Sequence, residues 1–401
     1  MTRRRMAIAY DCLYPYSTGG GERLYRSYAE ILARRGAAVD YLTAVQWEER
    51  PAREPFTIAA ISGRLRLYDR EGVRRTPAAL AFAWSLFRGL ARRRGAYDAV
   101  LVSGLPVLNV FAARAALAGS GTPLVVDYLE VWGRDQWVRY AGVVTGTIAW
   151  MLQRLAVALT PIATCHSQLT ARQLRAEGLR GRLLVSPGLI EGRSEHAATA
   201  SAAEPPYVLY AGRHIPDKQV EVLPAAVARA RESVPGLRLV VLGSGPSTDD
   251  VLRAVAEVSG QEWTQRPGFV SQEELDGLMA HAACLVNPSR REGYGLVVVE
   301  ASAHGTPVVL VDHDENAATE LVEPGVNGFI AASERPDDLA DAIVRAVRGG
   351  PALRAKTRAW YDEAVTTRTV ERTVEGILAA LDEQNDSGDT ARRSRSREGH
   401  S

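Results

Sequence analysis

Two carboxylates eight positions apart, Glu292 and Glu300, enclose a Gly-Tyr-Gly turn in the stretch "EGYGLVVVE". The preceding "ACLVNPS" reads as a strand ending at Pro288 and Ser289, and the glycines let the chain turn into a helix that reaches about His304, with Gly305 as its terminator. Glu292 then lies in the loop, and Glu300 about a turn and a half inside the helix. A helix N-terminus offers unpaired N–H groups and a partial positive charge, which suit phosphate and sugar oxygens. Carboxylates beside it accept hydrogen bonds from hydroxyl groups. Phosphate plus polyhydroxyl is the chemistry of a nucleotide sugar. Taken alone, the pair is equally compatible with a surface loop residue and a solvated helix face.

Two further stretches point the same way. "YAGRHIPDKQVEVL" carries Arg213 and Lys218 just past a strand. Lys218 and Lys356 are the only lysines, against 46 arginines, so a lysine here suits a compact point charge beside a phosphate; a solvated loop is the plainer reading. "YSTGGGERLY" follows the strand "MAIAYD", and its glycines permit close backbone approach where a helix begins near Gly21. It is neither a G-x-G-x-x-G nor a G-x-x-x-x-G-K-[ST] sequence, which takes support from dehydrogenase and kinase readings.

The elements that must position these groups are short apolar runs alternating with helical patterns. They are "MAIAY", "VDYLT", "DAVLVS", "PLVVDY" and "PIATC" in the first half, then "YVLYAG", "LRLVVLG", "ACLVNPS" and "TPVVLVD". Continuous apolar strands separated by helices predict parallel sheets covered on both faces. The fold class is therefore α/β, with two Rossmann-like, doubly wound domains facing a cleft at the carboxyl ends of their strands. The divisions are an N-terminal domain at 1–189, a linker at 190–206 and a second domain at 207–350. Helices follow at 351–383, and a disordered tail occupies 384–401.

At 401 residues, 48 basic against 47 acidic side chains give no global field that would favour a nucleic-acid partner. Cys12, Cys165 and Cys284 are dispersed and odd in number, against a disulfide framework or a metal site. No secretory leader is legible, so a cytoplasmic location is expected, with a peripheral position at the inner membrane face as the variant reading. The apolar stretch 143–163 holds Gln153 and Arg154 near its middle and reads as a buried amphipathic helix rather than a membrane span. The basic amphipathic stretch 72–98, with Phe82, Trp84 and Phe87, reads as a helix packed on its sheet, with docking to an anionic membrane as the second reading. The arginine-for-lysine bias fits a GC-rich bacterial genome.

"REGYGLVVVEASAHGTPVV" resembles the E-x7-E motif of the retaining glycosyltransferases of family 4, a two-Rossmann-domain, GT-B-type family. Arg213 with Lys218, "VLGSGP" at 241–246, "RPGFVSQEEL" at 266–275 and "GVNGFI" at 325–330 fall in that family's order. The resemblance is specific over 207–332 and diffuse in the first half, and it implies that 1–189 is the acceptor domain, that 207–350 binds the nucleotide sugar and that the helices at 351–383 cross back to the first domain. It implies that Glu292 binds donor-sugar hydroxyls, that Glu300 binds the ribose hydroxyls and that Arg213 and Lys218 hold the diphosphate. It further implies that the amides of Gly293, Tyr294, Gly295 and Leu296 line sugar and phosphate, that Gly20 and Gly21 close over the phosphate, and that Phe269 and Val270 border the base. The reaction implied is transfer of a hexose from a UDP- or GDP-linked donor to a hydroxyl of a small molecule, glycan or lipid-linked acceptor. The nucleotide sugar is a co-substrate, and neither cofactor nor metal is called for, because the cations already stabilise the leaving diphosphate. The acidic cluster "DHDE" at 312–315 is read as a polar loop.

Many members of that family carry a histidine after a first-domain strand, and "VVDYLEVWGRDQW" has none. Asp127, Glu130 and Trp132 are the acceptor-pocket candidates in its place, with Asp135, Trp137 and a buried His166 beside them. The alternative activity on the same architecture is a nucleotide-sugar epimerase.

Overall fold

The computed structural model describes residues 3–398 except 18, 50, 68–73 and 192–199, with the backbone alone described from 385 onward. The chain divides into two units, Met1–His166 with Thr170–Glu191 and Arg368–Ser401, and Ser167–Leu169 with Gly192–Thr367.

The first unit runs β1 (Arg5–Ala9), α1 (Gly20–Arg34), β2 (Ala38–Ala44), β3 (Thr57–Ser62), α2 (Thr76–Arg92), β4 (Ala99–Ser103), α3 (Leu108–Leu117), β5 (Leu124–Tyr128), α4 (Arg134–Ala141), α5 (Val143–Leu159), β6 (Ile162–Cys165), α6 (Gln168–Ala176) and β7 (Arg182–Val185). Its seven strands are all parallel, in the order β3-β2-β1-β4-β5-β6-β7. The central strands are buried on both faces, which is why they read as unbroken apolar runs. One core joins Ala7, Val100, Val126 and Ala163 of the sheet to Phe82 and Leu86 of α2, Val110 of α3, Val157 of α5 and Leu174 of α6.

The second unit runs β8 (Tyr207–Ala211), α7 (Leu223–Arg231), β9 (Arg238–Leu242), α8 (Thr248–Glu257), β10 (Thr264–Gly268), α9 (Gln272–His281), β11 (Cys284–Asn287), β12 (Arg291–Glu292), α10 (Leu296–Ala303), β13 (Val308–Val311), β14 (Glu315–Asn316), β15 (Gly328–Ala331) and α11 (Pro336–Thr367). Six parallel strands lie in the order β10-β9-β8-β11-β13-β15, and β12 and β14 form a separate parallel pair. The final helix, α12 (Val370–Glu398), belongs to the first unit, where Glu371 and Glu375 pair with Arg34 and Arg35 of α1.

Two sheets with helices between their strands match the expected fold class, and three local expectations are corrected. The return to the first unit begins at Arg368, not near 351. Although Gly350 (φ 50) kinks α11, Arg354 fastens the helix to its own unit by donating to the carbonyls of Ala200 (2.9 Å) and Ala282 (2.7 Å). The tail expected to be disordered from 384 is helical to Glu398, and no proline after Pro351 stops it. The helix at 143–159 forms, but its large apolar side chains are not buried. Its buried residues are Gly146, Gln153, Ala156 and Val157. The middle of the expected linker, 192–199, lies outside the described residues. Within the 72–98 stretch, α2 packs Phe82, Leu86 and Leu90 into the core as the packing reading expects. No helix among the described residues is long and apolar enough to cross a membrane.

Candidate active site

β8 and β11 are neighbours in the second sheet, yet the chain leaves β8 toward β9 on one side, while β11 is followed by β13 on the other. This is the topological switch point, where loops at the strand ends diverge and open a crevice. The loop after β8 makes a short 3-10 turn, Pro216–Lys218, and the loop after β11 leads into β12. Lys218 and Glu292 meet there as an ion pair. Glu292 Oε1 also accepts from Asn287 Nδ2 (2.9 Å) and Ser289 Oγ (3.1 Å), and Ser289 Oγ in turn donates to Asn287 Oδ1. Burial pushes the Glu292 carboxyl up. The Lys218 charge, with the hydrogen bonds from Lys218, Asn287 and Ser289, outweighs that and holds it below the usual carboxylate value. Glu292 is thus ionised at neutral pH and fixed in place.

The two loops are clamped beside this pair. Arg291 pairs with Asp217 at 2.6 Å, and Arg290 N–H donates to the Asp217 carbonyl at 2.9 Å. β12 pairs with β14, setting Glu292 opposite Asn316, whose Nδ2 donates to the carbonyls of Ser289 and Val311, both at 3.1 Å. Gly295 then opens α10 in the left-handed region (φ 99), and a Cβ there would lie 2.5 Å from Ala318 Cβ. Only glycine meets both conditions. The helix runs to Ala303 with His304 as its cap and Gly305 at φ 70, as the sequence predicts. Gly293, Tyr294, Gly295 and Leu296 therefore form its entry, and Glu300 is half-buried in its second turn.

Arg213 is exposed on the same β8 loop as Lys218, with its carbonyl accepting from Tyr210 Oη at 3.0 Å. His214, which the sequence reading passed over, is 2% exposed. Its Nδ1 lies 3.0 Å from Thr248 Oγ1, and burial lowers its pKa, so it helps hold this loop as a neutral ring. Phe269 is 79% exposed just past β10, with Val270 partly buried beside it.

Glu292, Lys218, Arg213, the entry of α10 and Phe269 all belong to the second unit, whereas Gly20 and Gly21 open α1 in the first. A Cβ at Gly21 would lie 2.8 Å from Tyr10 Oη, so this glycine has a packing reason of its own. Two of the three acceptor candidates, Asp127 and Trp132, are corrected, while Glu130 is partly buried. Asp127 is 0% exposed, accepting from Tyr25 Oη (2.9 Å) and Thr164 Oγ1, and does not present its carboxylate to a ligand. Trp132 is 9% exposed, tilted against Trp137 and edge-on to Tyr140, with Nε1 donating to Glu130 Oε2 at 2.8 Å. Hydrogen bonds hold Asp127, and ring packing holds Trp132, in the interior. His166 is buried, as expected, with Nε2 2.9 Å from Asp127 Oδ1 but without the alignment of a hydrogen bond. The 312–315 cluster leads into β14, and no group of His, Cys, Asp and Glu able to hold a metal occurs among the described residues.

Asn287 and Ser289 are the site residues that the sequence reading missed. The signal was two polar side chains closing an apolar strand, "ACLVNPS".

Residues 19–188 match the family described as "Glycosyl transferase 4-like domain", and residues 205–348 match "Glycosyl transferases group 1". Alpha-D-kanosaminyltransferase of Streptomyces kanamyceticus is 30% identical over 151 residues, 38% of each chain. Glycogen synthase of Mycobacterium tuberculosis (strain ATCC 25618 / H37Rv) is 30% identical over 231 residues, 55% of this chain and 54% of the relative. The chain thus spans about half or less of the length of the curated relatives it matches. Among solved structures, sucrose-phosphate synthase from Thermosynechococcus elongatus superposes with TM-score 0.69 at 19% identity, covering 98% of this chain and all of that one. Anabaena Alr3699/HepE, solved with UDP and glucose, superposes with TM-score 0.67 at 17% identity, covering 95% and 100%. At these identities the superpositions speak for the fold, the two-domain GT-B type. The family matches across both units, with the Glu292 and Lys218 loops inside the second, place the chain in the family 4 type of glycosyltransferases.

Proposed function

We propose that the chain transfers a hexose from a nucleotide diphosphate sugar, UDP- or GDP-linked, to a hydroxyl acceptor, with retention of configuration and without a metal ion. The observation that carries this reading is the ionised, half-buried Glu292 held by Lys218 at the switch point of β8 and β11, just before the N-terminus of α10. An immobile carboxylate accepts hydrogen bonds from sugar hydroxyls, and amides at a helix entry receive phosphate. As the acceptor oxygen replaces the diphosphate at the anomeric carbon, negative charge grows on the leaving group. Lys218 and Arg213, from one loop, are the groups to stabilise it. Glu300, farther along α10, serves the ribose hydroxyls, and exposed Phe269 offers a ring to the base. The UDP and glucose in the Anabaena structure are in keeping with this donor class. The relatives named above are a transferase and synthases, so the epimerase alternative gains no support from them.

The test is incubation with UDP-, GDP- and dTDP-sugars, with and without alcohol acceptors. Nucleoside diphosphate released only with acceptor, and an α-linked product from an α-linked donor by NMR coupling constants, supports the reading. A β-linked product overturns retention, and interconversion of donors without acceptor restores the epimerase.

A further inference from the structure

The fifth helix is built inside out. Towards the protein it turns Gly146, Ala156, Val157 and the polar Gln153, whose side-chain oxygen accepts from Trp132 N (3.2 Å) and Trp137 Nε1 (3.1 Å) and whose amide Nε2 donates to the Trp132 carbonyl (2.7 Å). Towards solvent it turns Val144 (73% exposed), Ile148 (53%), Met151 (57%), Leu155 (51%) and Leu159 (39%). Their spacing of three and four residues puts them in one row about 22 Å long at 1.5 Å per residue. An ordinary surface helix has the opposite polarity. Because α2, α3 and α5 cover the same face of the first sheet, their outer sides look the same way. On α2 that side adds Leu80 and Trp84, 54% and 60% exposed, and α3 between them shows only Arg114 and small residues. The chain from 74 to 159 carries ten arginines and four acidic residues, of which Asp127 is buried. Arg75, Arg88, Arg92, Arg134 and Arg139 are exposed.

We propose that this face of the first unit docks on an anionic lipid bilayer, with the α5 row and Trp84 entering the interface and the arginines meeting lipid phosphates. A contiguous apolar row on a water-soluble surface marks a contact. The excess of arginine around it selects a negatively charged partner, and a row without a charged side chain of its own matches the acyl boundary of a bilayer. The helix lies on the membrane rather than crossing it, since no described helix is long and apolar enough to span. The surface lies wholly in the first unit, so the proposal stands apart from the transferase reading, and its test uses no turnover.

The experiment is co-sedimentation of the full chain with phosphatidylcholine vesicles, and with vesicles containing roughly one third phosphatidylglycerol. Two variants are run beside wild type, Ile148→Glu with Leu155→Glu, and Arg88→Glu with Arg92→Glu, each checked for fold by thermal melting. Expected are binding to the anionic vesicles only, weakening as salt is raised, and a loss of about tenfold or more in partitioning for the apolar variant at unchanged melting temperature. The arginine variant is expected to lose binding chiefly at low salt. No binding to anionic vesicles at low salt overturns the proposal, as does unaltered binding of the Ile148→Glu, Leu155→Glu variant. A dimer in solution that this variant dissociates, without vesicle binding by wild type, overturns it in favour of a contact between two copies.

Discussion

Lys218 and Glu292, 74 residues apart in the chain, form an ion pair between the loops that follow two neighbouring strands, β8 and β11. Their side chains are 21% and 15% exposed, so the pair is largely out of water, and Asn287 and Ser289 complete the carboxylate's partners. A pair of this kind fixes a loop geometry as well as a charge.

Removing the cation alone leaves a buried carboxylate with two neutral partners. Lys218→Met is expected to destabilise the fold by roughly 1 to 3 kcal/mol, less than for a fully buried pair because Asn287 and Ser289 remain. Adding Glu292→Gln should recover most of the loss. Urea unfolding of the single and double variants checks this, and a double variant no more stable than Lys218→Met contradicts it.

The same pair sets a dependence on acid. The folded Glu292 carboxyl lies below its ordinary value of 4.5, so its stabilisation is complete above that value and is lost as pH falls through the lower folded one. Wild type is therefore expected to lose stability below about pH 4.5 more steeply than Glu292→Gln. Melting temperatures measured from neutral pH into this range give the comparison, and parallel curves rule the coupling out.

At Gly295 both the left-handed backbone and the approach of Ala318 exclude a side chain. Gly295→Ala should cost about 2 kcal/mol or more and weaken donor binding by displacing the entry of α10. Gly277, within α9 and with open space where a Cβ would go, is the control. Gly277→Ala should stabilise by roughly 0.5 to 1 kcal/mol. Thermal unfolding with and without nucleotide separates the two effects.

If Lys218 and Arg213 supply the positive charge at the leaving diphosphate, turnover persists in excess EDTA. Complete loss on chelation, restored by magnesium or manganese, refutes the metal-independent reading.

The sequence showed the centre of each sheet and not its rims. Of the strands in the two large sheets, those absent from the apolar-run reading are β3, β7, β10 and β15, and all four are edge strands; the two-residue pair β12 and β14 is too short to show as a run. An edge strand has one neighbour and an open side, so nothing demands an unbroken apolar run. β10, "TQRPG", even accommodates Pro267. The Glu292–Lys218 meeting and the glycine entry of α10 were legible because each uses a particular residue type in a loop that follows a strand. Asn287 and Ser289 were not singled out, because polar residues after a strand usually mark only a turn. For α5 the periodicity announced an apolar row without saying which side it faces. The answer depended on Gln153 finding Trp132 and Trp137 inside. Trp132 and Asp127 misled for a related reason, since residue type does not distinguish a pocket wall from an interior network.

The most direct measurement is calorimetric titration of the preferred nucleoside diphosphate into wild type, Glu292→Gln and Glu300→Ala, with kcat measured on the same preparations. If Glu300 holds the ribose, Glu300→Ala should weaken nucleotide binding by about 1.5 to 3 kcal/mol, as for loss of a hydrogen bond to a charged group. If Glu292 meets the hexose as it reacts, Glu292→Gln should bind nucleotide nearly as wild type while kcat falls at least about a hundredfold. Folded variants that both bind nucleotide as tightly as wild type contradict the ribose assignment, and full turnover by Glu292→Gln contradicts the role of Glu292 at the sugar.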